Sequence, residues 1–203
     1  MKTKIKSLIF TVLAPFIKRT IKSPSIFLTF DDGPHPINTP IILDALEEAS
    51  TKATFFMLGS AMEKYPEIVL RAISAGHTIG YHSYQHISLK RRNLKSLRKD
   101  VAKMNCLSKR FNITITLYRP PFGDLTAVAM LYFIFKGIKV IMWSLDSRDS
   151  FDNLSEVLKI ISPENISRGE IILFHDDYSD AEQLIQSSLK LYRQAKITCD
   201  SLE

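Results

Sequence analysis

The feature that most constrains this chain is an alternation of short apolar runs with longer stretches of helical spacing. Runs at 25–30, 53–58, 78–81, 114–118, 139–144, 170–174 and 196–198 have the length and composition of strands. Between them, 39–50, 66–75, 93–111, 125–136, 155–161 and 180–195 carry helical spacing. Thr39-Pro40 opens the first of these as a cap with proline in the first turn, and Gly76 and Gly137 stand as stops after two others. Strands that alternate with helices predict a parallel sheet, because each parallel pair needs a crossover. The seven strand segments fit either a barrel-like α/β fold or an open doubly wound sheet. No glycine-rich phosphate loop follows the first strand, which counts against a dinucleotide-binding version.

The polar residues fall at one place in that pattern. Asp31 and Asp32 follow the first strand, His82 and His86 the third, and Arg119 the fourth. Asp146 and Asp149 follow the fifth, and His175, Asp176 and Asp177 the sixth. Both α/β architectures build their sites at the carboxyl ends of the strands. Taken alone, His82 and His86 are a weak signal; on a helical turn their spacing would put both rings on one side. With one carboxylate they make a three-ligand metal set that leaves room for water. Adjacent aspartates after an apolar run are costly unless paired or metal-bound, although an Asx-type turn at Asp32-Gly33-Pro34 also explains part of that segment. In isolation, His175 reads as a satisfied histidine at the edge of the core and Arg119 as a structural salt-bridge partner held by a stiff proline turn. Tyr84 and Trp143 read as packing residues.

These segments resemble the polysaccharide deacetylases of the NodB-homology type, carbohydrate esterase family 4. The resemblance runs from about residue 26 to the C-terminus in five ordered motifs. They are Thr29-Phe30-Asp31-Asp32-Gly33-Pro34, His82-Ser83-Tyr84-Gln85-His86, Arg119-Pro120-Pro121-Phe122-Gly123, the segment around Asp149, and Leu173-Phe174-His175. The resemblance implies a distorted seven-stranded parallel (β/α) barrel. It implies a divalent metal, usually zinc with cobalt or another divalent ion as alternatives, held by Asp32, His82 and His86. Asp31 would be the general base and His175 the general acid. Arg119 would orient Asp31, and Asp149 would support the charged network. The backbone N–H of Phe122 would help hold the oxyanion. Leu173 and Phe151 would line the substrate pocket, Phe151 following a serine where the family often has tryptophan. The implied reaction is removal of N-acetyl groups from N-acetylhexosamine units of a glycan. An O-acetyl ester or a non-sugar amide as substrate, or a silent glycan-binding module, are the alternatives.

Charge and composition add bounds. The net charge of +6 invites a nucleic-acid reading, but no nucleic-acid module accompanies it. The densest basic stretch, Lys90, Arg91, Arg92, Lys95, Arg98 and Lys99, reads as a solvated helix face. The expected partner is therefore a glycan and not nucleic acid; no oligomeric state follows from the sequence. Cys106 and Cys199 are too few for a disulfide framework and lean to a reducing compartment. The chain divides into a basic and apolar segment, 1–24, and one deacetylase-type domain, 25–203. In the first, Lys2, Lys4 and Lys6 precede an apolar run from Leu8 to Ile17 that is too short to span a bilayer. Pro15 interrupts it and no small-residue cleavage pattern follows. It reads as an amphipathic cover for the domain, with a peripheral membrane anchor as the sharper alternative. The expected location is the cytoplasm or the inner face of the membrane, with export left open.

Overall fold

A six-residue run with no exposed position belongs in the middle of a sheet covered on both faces. Ile26–Asp31 is such a run, buried throughout, and it forms β2 in the computed structural model, which describes residues 16–203. It pairs in parallel with β3 (Thr54–Met57) on one side and β8 (Ile171–His175) on the other. Beyond β3 lie β4 (Thr78–Tyr81), β5 (Leu117–Tyr118), β6 (Lys139–Ile141) and β1 (Ile17–Lys18). Beyond β8 lies β7 (Leu145–Asp146), and β9 (Cys199–Asp200) joins the start of β2. The path is β1-β6-β5-β4-β3-β2-β8-β7, and every strand pair in it is parallel. The sheet curls into a distorted barrel. The chain after β1 meets the chain before β8 through a bridge between Thr20 and Glu170 and a hydrogen bond from Ile21 N–H to the Gly169 carbonyl.

The crossovers are α1 (Asn38–Glu48), α2 (Gly59–Lys64), α3 (Pro66–Ser74), α4 (Leu94–Phe111), α5 (Ala127–Phe135), α6 (Leu154–Ile160) and α7 (Ala181–Gln194). Side chains alternate across each strand. Ile26, Leu28, Phe30, Phe55, Met57, Ile172 and Phe174 join the large core shared with the helices. Phe27, Phe56, Leu117, Ile141, Ile171 and Leu202 form a second, smaller cluster inside the curl. That alternation decides where the chemistry sits. Asp31, two residues beyond Thr29 and four beyond Phe27, points inward, and so does its register partner His175.

The expected barrel forms, with nine strands among the described residues where the sequence suggested seven. The run 139–144 is not one strand. Only its first half is a strand, β6, which pairs with β5 and β1; the chain leaves the sheet at 142–144 and β7, just beyond the run, pairs with β8. The last strand is Cys199–Asp200 and not 196–198, because Ile197 N–H is taken by the Tyr192 carbonyl as α7 ends. Helix α2 was not legible as a separate element. Thr39 does not cap α1; the helix starts at Asn38, and the buried Thr39 hydroxyl donates to the Asp176 carboxylate instead. The basic stretch is not uniformly solvated either. Arg92 precedes α4 and folds back onto buried Asp100 at 2.8 Å. Of the segment 1–24, residues 1–15 lie outside the described residues, while Ile17–Lys18 contributes an edge strand. Both cysteines are free thiols. Among the described residues no helix is long and apolar enough to cross a membrane.

Candidate active site

Asp31, Asp32, His82, His86, Arg119, Asp149 and His175 converge at the carboxyl end of the sheet. Asp31 ends β2, with a side chain only 4% exposed. Burial raises its pKa, and the Arg119 guanidinium opposes that rise. Arg119 is completely buried two residues past inward-facing Leu117. Its Nη1 donates to Asp31 Oδ1 and to Thr29 Oγ1, both at 2.8 Å, and Nη2 donates to the Met142 carbonyl at 3.2 Å. The guanidinium also lies 4.1 Å from the centre of the Phe56 ring, a cation–π contact inside the curl. Thus the Asp31 carboxylate is fixed on one oxygen, while Oδ2 lies 3.8 Å from His82 Nε2.

Asp32 takes a left-handed backbone, φ 73°, which turns its side chain away from that of Asp31. Its Oδ1 is 3.7 Å from His82 Nε2 and 3.5 Å from His86 Nε2. The three ligand atoms lie within 4.8 Å of one another. The two histidines are not on a helical turn. They bracket an irregular loop in which Ser83 has φ 73°, and their rings lie 5.0 Å apart. His82 Nδ1 is 2.8 Å from the Arg119 carbonyl, an oxygen that can only accept. The proton therefore sits on Nδ1 and the Nε2 lone pair faces Asp32. Burial pushes the His82 pKa down to about 3, with Asp32 opposing, so the ring is neutral near pH 7. Asp32 Oδ1 is buried with no hydrogen-bond partner in the protein. A neutral imidazole lone pair, a second imidazole and an unsatisfied carboxylate oxygen facing one another are the donor set of a divalent cation.

On the neighbouring strand, His175 is held by Asp149. Burial works to lower the His175 pKa, but the Asp149 hydrogen bond and the charges of Asp149, Asp31 and Asp32 raise it to about 9. Leu173 points into the curl below this pair and is buried. Phe122 has φ 59° and a 65% exposed side chain whose ring centre lies 4.3 Å from that of His86. Phe151, on the loop after Asp149, is 78% exposed and lines no packed pocket wall. Trp143 lies beneath the Phe122 turn, in contact range of a Cβ at Gly123, and its ring centre is 5.8 Å from the Arg119 guanidinium.

Sequence reasoning assigned no role to three supports. Thr29 accepts from Arg119 and donates to the Ile172 carbonyl; its place two residues before Asp31 was the available signal. Asp176 is buried below Gly33, where no Cβ would fit, and burial raises its pKa to about 7. Asp100 sits behind the histidine loop, and its burial at a polar position of α4 had no sequence signal.

The polysaccharide deacetylase family model matches residues 18–141, which includes Asp31, Asp32, His82, His86, Arg119 and Phe122. A peptidoglycan-N-acetylglucosamine deacetylase of Bacillus cereus is 34% identical over 151 residues, covering 74% of this chain and 55% of that protein. The chain therefore spans about half the length of that relative. A chitooligosaccharide deacetylase of Azorhizobium caulinodans is 32% identical over 176 residues, covering 82% of this chain and 80% of that one. The crystal structure of a peptidoglycan N-acetylglucosamine deacetylase in complex with an N-oxidanyl-benzamide superposes with a TM-score of 0.86 at 26% identity, covering 92% and 90% of the two chains. With the family model covering more than half of its length and the motifs assembled at one end of the sheet, the chain belongs to the polysaccharide deacetylase family.

Proposed function

We propose that this protein is a metal-dependent hydrolase that removes N-acetyl groups from N-acetylhexosamine units of a glycan. The observation that carries this reading is that a carboxylate fixed by Arg119, a three-residue cation donor set and a carboxylate-held histidine share one cleft. A divalent cation held by Asp32, His82 and His86, for which zinc suits two imidazoles and one carboxylate, would polarise the acetyl carbonyl and acidify the attacking water.

The protein's own groups account for the proton movements. Asp31, its other oxygen tied to Arg119, takes a proton from the water as the water adds to the acetyl carbonyl. Its raised pKa suits a base working near neutral pH. Phe122 supplies a backbone N–H to the developing oxyanion. His175, protonated at neutral pH, gives its proton to the sugar nitrogen, so the C–N bond breaks to a neutral amine and acetic acid, which ionises to acetate on release. Asp149 stabilises the charged ring before that transfer. Buried Leu173 flanks the acetyl position from inside the curl. The relatives named for peptidoglycan and chitooligosaccharide support a β-linked N-acetylglucosamine polymer as substrate.

Metal-stripped protein should release no acetate from N-acetylglucosamine oligomers and should regain activity with zinc or cobalt. An enzyme equally active in excess chelator would refute the metal-dependent reading.

A further inference from the structure

The loop from His82 to His86 is irregular, and one of its residues has a left-handed backbone. Two imidazoles on such a loop converge on one point only if something outside it sets its shape. The contacts that do so come from two sides. At the start of α2, the Gly59 and Ser60 N–H groups donate to the Ser83 and Tyr84 carbonyls at 2.9 and 3.0 Å. From the other side, Asp100 of α4 accepts the Tyr84 N–H at 2.9 Å and the Ser83 hydroxyl at 3.2 Å, both on Oδ1. Arg92 pairs with the same oxygen at 2.8 Å, and its Nη2 donates to Ser83 Oγ at 2.9 Å and to the Gln85 carbonyl at 3.1 Å. The three carbonyls of Ser83–Gln85 and the Tyr84 N–H are thereby all engaged.

This network is costly to bury. The Asp100 and Arg92 side chains are 2% and 10% exposed. Asp100 Oδ2 and the hydroxyls of Tyr81 and Tyr118 are buried without a hydrogen-bond partner in the protein. Apolar residues of the same volume would hold α4 to the sheet without that desolvation cost. They could not dictate where each polar group of the histidine loop lies.

We infer that Asp100 and Arg92 are positioning residues for the metal-ligand pair, acting through Ser83, Tyr84 and Gln85 to hold His82 and His86 at ligating separation. The inference rests on the reading of Asp32, His82 and His86 as a metal site. It concerns residues outside the ligand set and outside the reacting groups.

The test is zinc affinity of the full chain, measured by competition with a chromogenic chelator, with the cobalt visible spectrum as a report on ligand geometry. Asp100→Asn should bind zinc about 10–100-fold more weakly, as loss of an outer-shell partner typically does, and should alter the cobalt spectrum. Val101→Ala, a truncation in the apolar core on the same helix, should leave both unchanged. Arg92→Lys keeps the charge but loses the fork, and should weaken zinc at least several-fold; it decides the matter if Asp100→Asn does not fold. Wild-type affinity and spectrum in a folded Asp100→Asn or, failing that, in Arg92→Lys would overturn the inference. So would an equal loss in Val101→Ala, which would make the effect one of general stability. A wild-type affinity no better than that of His86→Ala would instead overturn the metal reading, and the inference with it.

Discussion

Asp149 grips His175 with both carboxylate oxygens: Oδ2 accepts the His175 backbone N–H at 2.7 Å and Oδ1 accepts the ring Nδ1–H at 2.7 Å. One residue thus fixes both the main chain and the ring of the proposed general acid, leaving Nε2 free to carry the transferable proton. Its carboxylate is fully buried, so the pairing is shielded from solvent and salt.

This pairing sets a pH dependence with a definite sign. His175 is raised from 6.5 to about 9, so its protonated form persists through neutral pH. Stability contributed by the pair is fully present below pH 6.5 and is lost as pH rises through about 9. Activity that needs the protonated ring should fall over the same alkaline range. Asp149→Asn should move the alkaline limb of the kcat/KM profile to lower pH, towards the ordinary histidine value. A limb that does not move would separate Asp149 from the acid role of His175.

The Arg119–Asp31 pair predicts a large, asymmetric stability effect. Both side chains are buried, and Arg119 also satisfies Thr29 and the Met142 carbonyl. Arg119→Ala leaves a buried carboxylate without its cation and should cost about 3–5 kcal/mol, read from the denaturant midpoint. Neutralising the partner as well, in Arg119→Met with Asp31→Asn, should recover part of that loss. A single mutant destabilised by less than about 1 kcal/mol would mean that the pair is relaxed by solvent.

Gly80 faces the inside of the curl opposite Phe56, where an added Cβ would overlap the ring. That ring in turn carries the Arg119 guanidinium. Gly80→Ala should therefore destabilise by about 1–3 kcal/mol through overpacking. It should also lower kcat, since displacing Phe56 shifts Arg119 and through it Asp31. Thermal denaturation and initial rates on the same preparation check both effects.

Much of the fold was legible because strand and helix periods differ; the run expected at 25–30 forms the strand Ile26–Asp31, one residue further on. Two of the two-residue strands were not legible. Ile17–Lys18 and Leu145–Asp146 are defined by which neighbour the curled sheet offers them, a tertiary property with no local pattern. The site was legible at strand ends, where Asp31, His82, Arg119 and His175 are polar residues continuing an inward-facing alternation. What supports them was not. Asp100 lies on a helix that reads as largely solvated, and Asp176 is distinguished from its neighbour Asp177 only by burial. The i, i+4 spacing of His82 and His86 suggested a helical turn, whereas a hydrogen-bonded loop brings the rings together.

The central claim is that Asp31 is the base of a metal-dependent deacetylase, and acetate release from zinc-loaded protein tests it most directly. Wild-type protein with N-acetylglucosamine oligomers should release acetate. Asp31→Asn should be slower by about 10²–10⁴-fold while binding zinc as tightly as the wild type. Zinc-loaded wild type that releases no acetate from a broad panel of N-acetylated and O-acetylated glycans, or an Asp31→Asn variant that retains full activity, would contradict the account.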